Sequence, residues 1–184
     1  MTDKPIEYYV EKIGCVADNM KTDIYAVGGF VRDRLLNRET AEVDFVVTGN
    51  SLALAAKAKI ELNGYGYVEY KRFKTASFQV PGYRFEFVSA RKESYNAESR
   101  KPSVTEATLE EDLKRRDFTV NAMAMNVNKQ GYGDIIDPLG GRKDLEAGLI
   151  RTPLDPCETF SEDPLRIMRA ARFAAQLGFE IEET

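Results

Sequence analysis

Apolar residues near the N-terminus recur every three or four positions, which predicts an amphipathic helix that serves core packing. The residues of this stripe are Ile6, Tyr9, Val10, Ile13, Val16, Ala17 and Met20. Pro5 suits the first turn, where a backbone N–H has no helical partner. A run rich in Ala and Leu predicts a second helix over 51–63, which ends at Gly64.

Runs of β-branched and aromatic residues predict the strands of a sheet. The runs cover residues 25–27, 42–47, 65–72, 75–80, 83–90, 122–127, 133–137 and 149–151. Pro81 and Gly82 predict a hairpin turn between two of these strands. Short helices are expected over 30–36, 109–116 and 142–147. Residues 91–108 are polar and irregular, which predicts a flexible loop.

The C-terminal segment predicts one further helix. Ser161 is a fitting N-cap, acidic residues follow in the first turn, and Pro164 is tolerated there. Gly178 ends the helix.

The composition is that of an ordinary globular protein, with 43% hydrophobic and 30% charged residues. The 184 residues fit one large domain, or one domain and the start of another. No apolar run approaches the roughly 18 residues of a membrane span. The sequence has no histidine, which excludes His-based triads and leaves carboxylate and Mg²⁺ chemistry. Cys15 and Cys157 are too few for a disulfide framework, so we expect a cytoplasmic protein.

Two adjacent glycines follow the first predicted strand. Gly28 and Gly29 allow the backbone to turn sharply and to approach a ligand closely. The next predicted helix points its free N–H groups at whatever lies over the glycines. With Arg32 nearby as a clamp, this turn is suited to binding a phosphate.

Glu42 and Asp44 alternate with apolar residues, so a strand places both carboxylates on one face. Neighbouring like charges are costly unless a cation compensates them. Magnesium is the natural candidate because one or two carboxylates plus substrate phosphates hold it. A phosphate cradle beside a metal-binding acid pair is what nucleotidyl transfer requires. A glycine turn beside two solvated acids on an edge strand is the alternative reading of the same residues.

Further polar residues interrupt apolar stretches. Glu86 lies between Phe85 and Phe87, so it either pairs with another group or faces a site, and it is the candidate third carboxylate. An outward-facing position on an alternating strand would explain it equally well. Two cations, an acid and an amide cluster over 115–121.

In the C-terminal helix, Asp163 and Arg166 are three residues apart and therefore neighbours on one face. Arg169 and Arg172 continue the series. Ordinary ion pairs would explain this pattern, but three arginines at fixed spacing favour a ligand face.

The formal net charge is −4, so any RNA contact must come from local basic patches. The candidates are 71–74, 100–101, 114–116 and the arginines near the C-terminus. A solvated charged face is the other reading of each patch.

Four motifs occur in order along the chain: GGFVRD at 28–33, the spaced acids, RRDFTVNA at 115–122 and EDPLR at 162–166. Together they resemble the class II tRNA nucleotidyltransferase and poly(A) polymerase family, the CCA-adding enzymes, from residue 25 to 178. The resemblance implies an α/β (α+β) fold with a polymerase-β-like nucleotidyltransferase sheet flanked by helices. It implies a catalytic head over 1–152 and the start of a helical neck over 153–184.

The resemblance also implies residue roles at the glycine turn and on the acid strand. Gly28, Gly29 and Arg32 would hold the triphosphate of CTP or ATP. Glu42 and Asp44 would hold the catalytic Mg²⁺ ions, two metals roughly 3.5–4 Å apart.

The later motifs complete the expected site. Arg116 and Asp117 would contact phosphate and ribose, with Asn121 in support. Glu86 would lie near the 3′ end of the tRNA that receives the nucleotide.

The neck motif would select the incoming base. Asp163 and Arg166 would read the base edge, with Arg169 and Arg172 nearby, because an acceptor beside a donor fork distinguishes bases by hydrogen-bond pattern. The implied reaction is attack of an RNA 3′-hydroxyl on the α-phosphate, with release of pyrophosphate.

The chain departs from the family pattern at two points. The first metal acid is normally aspartate, and Glu42 reaches about 1.5 Å farther. Glu42 is therefore either an adapted ligand or the mark of an impaired protein. The chain also lacks the body and tail that bind the tRNA acceptor stem, so we expect a fragment. Poly(A) polymerase and a non-catalytic nucleotide- or RNA-binding module are the competing functions.

Overall fold

The computed structural model describes residues 4–96 and 99–183, with the backbone alone described over 91–96 and 99–106. The helices are α1 Ile6–Asn19, α2 Gly29–Leu35, α3 Ser51–Glu61, α4 Leu109–Lys114, α5 Gly141–Ala147, α6 Pro156–Glu162 and α7 Leu165–Leu177. The strands are β1 Ile24–Val27, β2 Glu42–Val47, β3 Tyr65–Tyr70, β4 Thr75–Val80, β5 Tyr83–Ser89, β6 Arg91–Asn96, β7 Ser99–Glu106, β8 Ala124–Asn126, β9 Ile135–Ile136, β10 Leu149–Ile150 and β11 Glu180–Ile181. Short 3₁₀ turns cover Lys71–Phe73 and Thr119–Asn121.

Seven strands form one mixed sheet in the order β3-β4-β5-β2-β1-β8-β9. Strands β2 and β5 are parallel, whereas the other neighbouring pairs are antiparallel. The expected α/β (α+β) fold, with a sheet flanked by helices, is therefore confirmed, and the strand directions are mixed.

One face of this sheet carries the hydrophobic core. The alternating residues Val43, Phe45 and Val47 of β2 are buried and pack with residues of α1 and α3. The rings of Phe45 and Phe87 lie 5.0 Å apart, and Phe78 stacks on Phe87 at 5.7 Å. Aromatic pairs at these distances add to the stability gained by burial. The core therefore fixes β2 and β5 against each other.

The opposite face is covered less completely. A small apolar cluster there joins Val27, Val46 and Ala124 to Leu113 of α4. Helix α4 begins with a capping box, in which Thr108 and Glu111 satisfy each other's backbone N–H groups. Glu42 and Asp44, on the same face, are exposed.

The prediction of a loop over 91–108 is wrong, because the backbone of this segment forms two strands. Strands β6 and β7 form a separate antiparallel pair there. Their sequence is polar on both sides of the alternation, so it lacks the apolar period by which a strand is usually detected. The basic patch at 100–101 lies outside the described side chains.

The prediction of one helix from Ser161 onward is also wrong. Helix α6 already contains Ser161, and α7 begins after Pro164. Asp163 adopts φ −143° and ψ 96°, an extended conformation. A residue before proline is disfavoured from helical geometry, and proline provides no N–H, which explains the break. Gly178 does end α7, at φ +73°.

Within the described ranges, none of the helices is long and apolar enough to cross a membrane.

Candidate active site

Three carboxylates share the open face of the sheet. In the β2–β5 register, Asp44 is paired with Glu86, and Glu42 is paired with Arg84. Residues paired across neighbouring strands point to the same face, so Glu86 joins the two predicted metal acids. Arg84 Nη2 lies 3.6 Å from Glu86 Oε2 and brings a cation into the group.

The pKa of Asp44 is raised above the ordinary value of an aspartate. Its side chain keeps contact with solvent, yet the surrounding protein desolvates the carboxyl and raises its pKa. The positive charge of Arg116 opposes this shift, the charge of Glu42 adds to it, and Arg84 opposes it. The arrangement therefore favours uptake of a positive charge at Asp44.

The acid pair fits a hard divalent cation in part. Among the described residues, no group of three His, Cys, Asp or Glu side chains is arranged to hold a metal. Glu42 and Asp44 offer only carboxylate oxygens, and Mg²⁺ is typically held by one or two carboxylates together with phosphates and water. The residues present fit an ion that the substrate helps to bind.

The glycine turn lies directly beside Asp44. Strand β1 ends at Val27, which is paired with Asp44, and Gly28 follows at φ +68°. A Cβ atom at Gly28 would lie 3.0 Å from Nη1 of Arg116. Glycine is thus required both for the left-handed backbone and for the space beneath that arginine.

Arg116 is held over the turn by an acid that the sequence analysis did not single out. Asp112, fully buried on α4, accepts a hydrogen bond from Arg116 Nη2 at 3.1 Å and also pairs with Arg115. Nε of Arg116 is buried and has no hydrogen-bond partner among the described residues. An unpaired buried N–H is costly. A phosphate oxygen that accepted a hydrogen bond from it would remove this cost. The i, i+4 spacing of Asp112 and Arg116 was the signal in the sequence.

Arg32 lies within a network of protein partners. Its Nε and Nη2 donate to the carboxylate of Asp33 at 2.8 and 2.9 Å, and its Nη1 donates to Asn121 Oδ1 at 2.7 Å. The side chain is only 4% exposed. Its Nη2 is nevertheless 3.6 Å from the Cβ position of Gly29, so the positive charge lies next to the turn.

The network continues to the C-terminal helix. Asn121 Nδ2 donates to Asp117 Oδ1 at 3.1 Å, and Arg169 Nε donates to Asp117 Oδ2 at 2.7 Å. Asp117 also accepts from the backbone N–H of Phe118. Buried and partly buried hydrogen bonds therefore connect the helix after the glycine turn to α7.

The side chains of the two predicted base-reading residues bond to other groups, although the backbone N–H of Arg166 donates to the carbonyl of Asp163 at 3.0 Å. Asp163 lies between α6 and α7, where its Oδ1 accepts from the N–H of Leu165 at 3.1 Å. Arg166 Nη2 donates to the carbonyl of Arg115 at 2.9 Å. Arg172 is exposed and lies over the Phe173 ring at 4.7 Å. The structure thus brings Arg166 to the Arg115–Arg116 segment and leaves Arg172 at the surface.

A cavity of about 850 Å³ lies between the start of α1, α2 and residues 37–41, and Glu42, Asp44 and Glu86 are not among its lining residues. The candidate site is an open cleft rather than this cavity.

The chain is similar in sequence to known proteins. Residues 24–151 match the family model described as the poly A polymerase head domain. An A-adding tRNA nucleotidyltransferase from Aquifex aeolicus (strain VF5) is 46% identical over 160 residues, which cover 87% of the chain and 19% of that relative.

Solved structures are similar over nearly the whole chain. An apo form of a CCA-adding enzyme has a TM-score of 0.87 and 41% identity, covering 99% of this chain and 42% of that one. A tRNA nucleotidyltransferase complexed with a primer tRNA and an incoming ATP analog has a TM-score of 0.80 and 40% identity, covering 93% and 46%. The chain therefore spans less than half the length of these similar proteins.

Proposed function

Because the chain belongs to the family of the poly(A) polymerase head domain, we propose that it is the catalytic head of a tRNA nucleotidyltransferase. It transfers CMP or AMP from CTP or ATP to the 3′ end of tRNA. The observation that carries this proposal is the position of the Gly28 turn and Arg116 beside Asp44. Nucleotidyl transfer needs a phosphate-binding element next to a pair of carboxylates.

The triphosphate binds over the glycine turn. Arg116 offers its unpaired Nε, and the charge of Arg32 lies under Gly29. Charge-assisted hydrogen bonds from guanidinium groups to phosphate are short and strong. These contacts fix the α-phosphate next to Asp44.

The acid pair is the place for the cation. Glu42 and Asp44 would hold Mg²⁺, which would supply neutralisation of the charge that develops on phosphate oxygens. The raised pKa of Asp44 is consistent with a site built to gain a positive charge.

The reaction is a displacement at the α-phosphorus. The RNA 3′-hydroxyl oxygen forms a bond to that phosphorus, the bond to the oxygen of the β-phosphate breaks, and pyrophosphate and a proton leave. Glu86, paired in register with Asp44, lies where the attacking hydroxyl arrives. The protein contributes chiefly by positioning the two reactants.

The sugar and base are bound between the head and α7. The carboxylate of Asp117 already accepts hydrogen bonds from Phe118, Asn121 and Arg169. A ribose hydroxyl that binds Asp117 therefore replaces one of the hydrogen bonds from Arg169. Asp163 and Arg166 select the base by hydrogen bonds to its edge. Poly(A) synthesis is the second candidate, because the matching family model carries that description.

A transfer assay tests the proposal. The chain is incubated with Mg²⁺, radiolabelled CTP or ATP, and tRNA lacking its 3′ end. We expect incorporation, and we expect Asp44→Asn to lower it by about a hundredfold or more, since small displacements of reacting groups have effects of that size.

The Glu42→Asp variant tests the acid that departs from the family pattern. We expect a slower reaction, because a shortened side chain withdraws the carboxylate by about 1.5 Å. A gain of activity confined to Glu42→Asp would show that Glu42 impairs the site. Nucleotide binding without incorporation in either protein would point to a binding module, or to a need for the regions of the longer relatives that this chain does not span.

A further inference from the structure

Three apolar side chains of the edge strand β3 are exposed on the same face as the carboxylates. Tyr65, Val68 and Tyr70 are 53%, 43% and 55% exposed. Tyr65 is paired with Gln79 of β4, which is paired with Arg84 of β5. Arg84 is in turn paired with Glu42, so one row of side chains crosses four strands from the acid pair to the edge.

A second row runs beside the first. Val68 is paired with Ser77, Ser77 with Glu86, and Glu86 with Asp44. Three strand spacings separate β2 from β3, a distance of roughly 14 Å. The same face thus continues from the acids to the edge strand, with Ser77 buried in the second row and Gln79 and Arg84 exposed in the first.

A bulge in β3 creates this face. Tyr65 and Val68 are three residues apart, so regular alternation would place them on opposite sides. The register shifts between them, and Gly66 adopts φ +63°. An extra residue of this kind re-aims the side chains that follow it. Tyr67 then packs against the core instead.

The face also has a groove and positive charge. A groove of about 350 Å³ is lined by Glu42, Arg84, Gln79 and Tyr65, among others. Lys71 and Arg72 follow Tyr70 directly and are exposed, Lys71 with 86% of its side chain. Aromatic rings flanked by cations are the pattern of surfaces that bind single-stranded nucleic acid.

The sheet order gives the direction of approach. The glycine turn follows β1, on one side of β2, whereas β5, β4 and β3 lie on the other side. In phosphoryl transfer the attacking and leaving oxygens are roughly in line on opposite sides of phosphorus. With pyrophosphate leaving over the glycine turn, the attacking hydroxyl must arrive from the β5 side.

We propose that this strip, the primer face of Tyr65, Val68, Tyr70, Gln79 and Arg84, binds the RNA strand that carries the attacking 3′-hydroxyl. The proposal rests on the function proposed above. Bases of the last nucleotides stack on the tyrosine rings, while Arg84, Lys71 and Arg72 contact phosphates. Stacking of this kind tolerates any base, which suits a primer end whose sequence changes during addition.

RNA binding by matched variants tests the primer face. A fluorescein-labelled single-stranded RNA ending in CC is titrated with the chain, and fluorescence anisotropy gives the dissociation constant. We expect Tyr65→Ala/Tyr70→Ala to weaken RNA binding about tenfold or more and to leave ATP binding within about twofold. Lys71→Ala/Arg72→Ala should make RNA binding less dependent on salt, by about one released counterion for each phosphate that the variant no longer neutralises.

The controls lie on the other side of the sheet. Ile60→Ala and Lys57→Ala remove an exposed apolar residue and an exposed cation from α3, and both should bind RNA like the unmodified chain. Photocrosslinking of RNA with 4-thiouridine at its penultimate position should label β3. This second measurement does not depend on how the variants fold.

Several results would overturn the primer face. The first is that the unmodified chain fails to bind or crosslink the RNA. The second is that all variants have equal affinity for RNA. The third is that the chain forms a dimer through β3 that excludes RNA. Binding to this face needs no turnover. Intact RNA binding without nucleotide transfer would therefore count against the proposed function alone.

Discussion

At the scale of single residues, the two arginines assigned to phosphate binding have different surroundings. The guanidinium of Arg32 is buried and committed to Asp33 and Asn121. Arg116 is held by Asp112 but keeps one buried N–H unpaired among the described residues. Arg32 therefore acts mainly as a fixed charge under the turn, while Arg116 has hydrogen-bonding capacity left for a ligand.

Gly28→Ala tests the close fit between the turn and Arg116. We expect weaker ATP binding, because the new Cβ lies 3.0 Å from Arg116 Nη1, and a loss of about 1–3 kcal/mol in unfolding free energy, because φ +68° with ψ −129° is a sparsely populated conformation for alanine. Calorimetric titration and thermal unfolding measure the two effects.

Gly133→Ala is the matched control for that substitution. Gly133 has φ +89°, but a Cβ there meets nothing within 4 Å. The Gly133→Ala variant should lose a similar amount of unfolding free energy and should bind ATP with the affinity of the unmodified chain. Equal loss of ATP affinity in both variants would remove the argument for the Gly28 contact.

At the scale of elements, the register of β2 and β5 decides which side chains meet. The parallel pairing places Glu86 beside Asp44 and Arg84 beside Glu42. Rings on the opposite side of the same strands hold this register, since Phe45, Phe85 and Phe87 are all fully buried. A shift by one residue would send every one of these side chains to the other face.

Phe87→Ala tests the aromatic support of the acid strands. Removing a fully buried ring should cost about 3–5 kcal/mol of unfolding free energy, because a cavity remains between Phe45 and Phe78. Denaturant unfolding measures the change. Ile60→Ala, at a position 72% exposed, should change stability by less than about 0.5 kcal/mol. Similar losses in the two variants would contradict this account of the core.

At the scale of the whole molecule, α7 is attached to the rest by a few specific contacts. Arg169 binds Asp117, and Phe173 packs edge-on against Phe118 at 5.9 Å. The guanidinium of Arg32 lies 5.2 Å from the Phe173 ring. The element proposed to read the base is thereby linked to the element proposed to hold the phosphates.

Arg169→Ala tests this link. It leaves the buried Asp117 without its cation, so we expect faster hydrogen exchange in α7 and about tenfold weaker ATP binding. Arg172→Ala is the control on the same helix, because Arg172 contacts the Phe173 ring yet has no ion pair with a described residue. Matching exchange rates in the two variants would show that the Asp117 pair does not hold α7.

The sequence by itself determined the local features of this protein. Helical spacing of apolar residues predicted α1, alternation placed Glu42 and Asp44 on one face, and the paired glycines marked the turn at Gly28. These features follow from the three- to four-residue period of a helix and the two-residue period of a strand, which neighbours in the chain express.

Only the tertiary structure decided which distant residues meet. It brought Asn121 to Arg32 and turned Tyr65 and Val68 to one face by a bulge. The physical reason is that partners far apart in the chain, and the register between strands, depend on how the whole core packs. No local period contains that information.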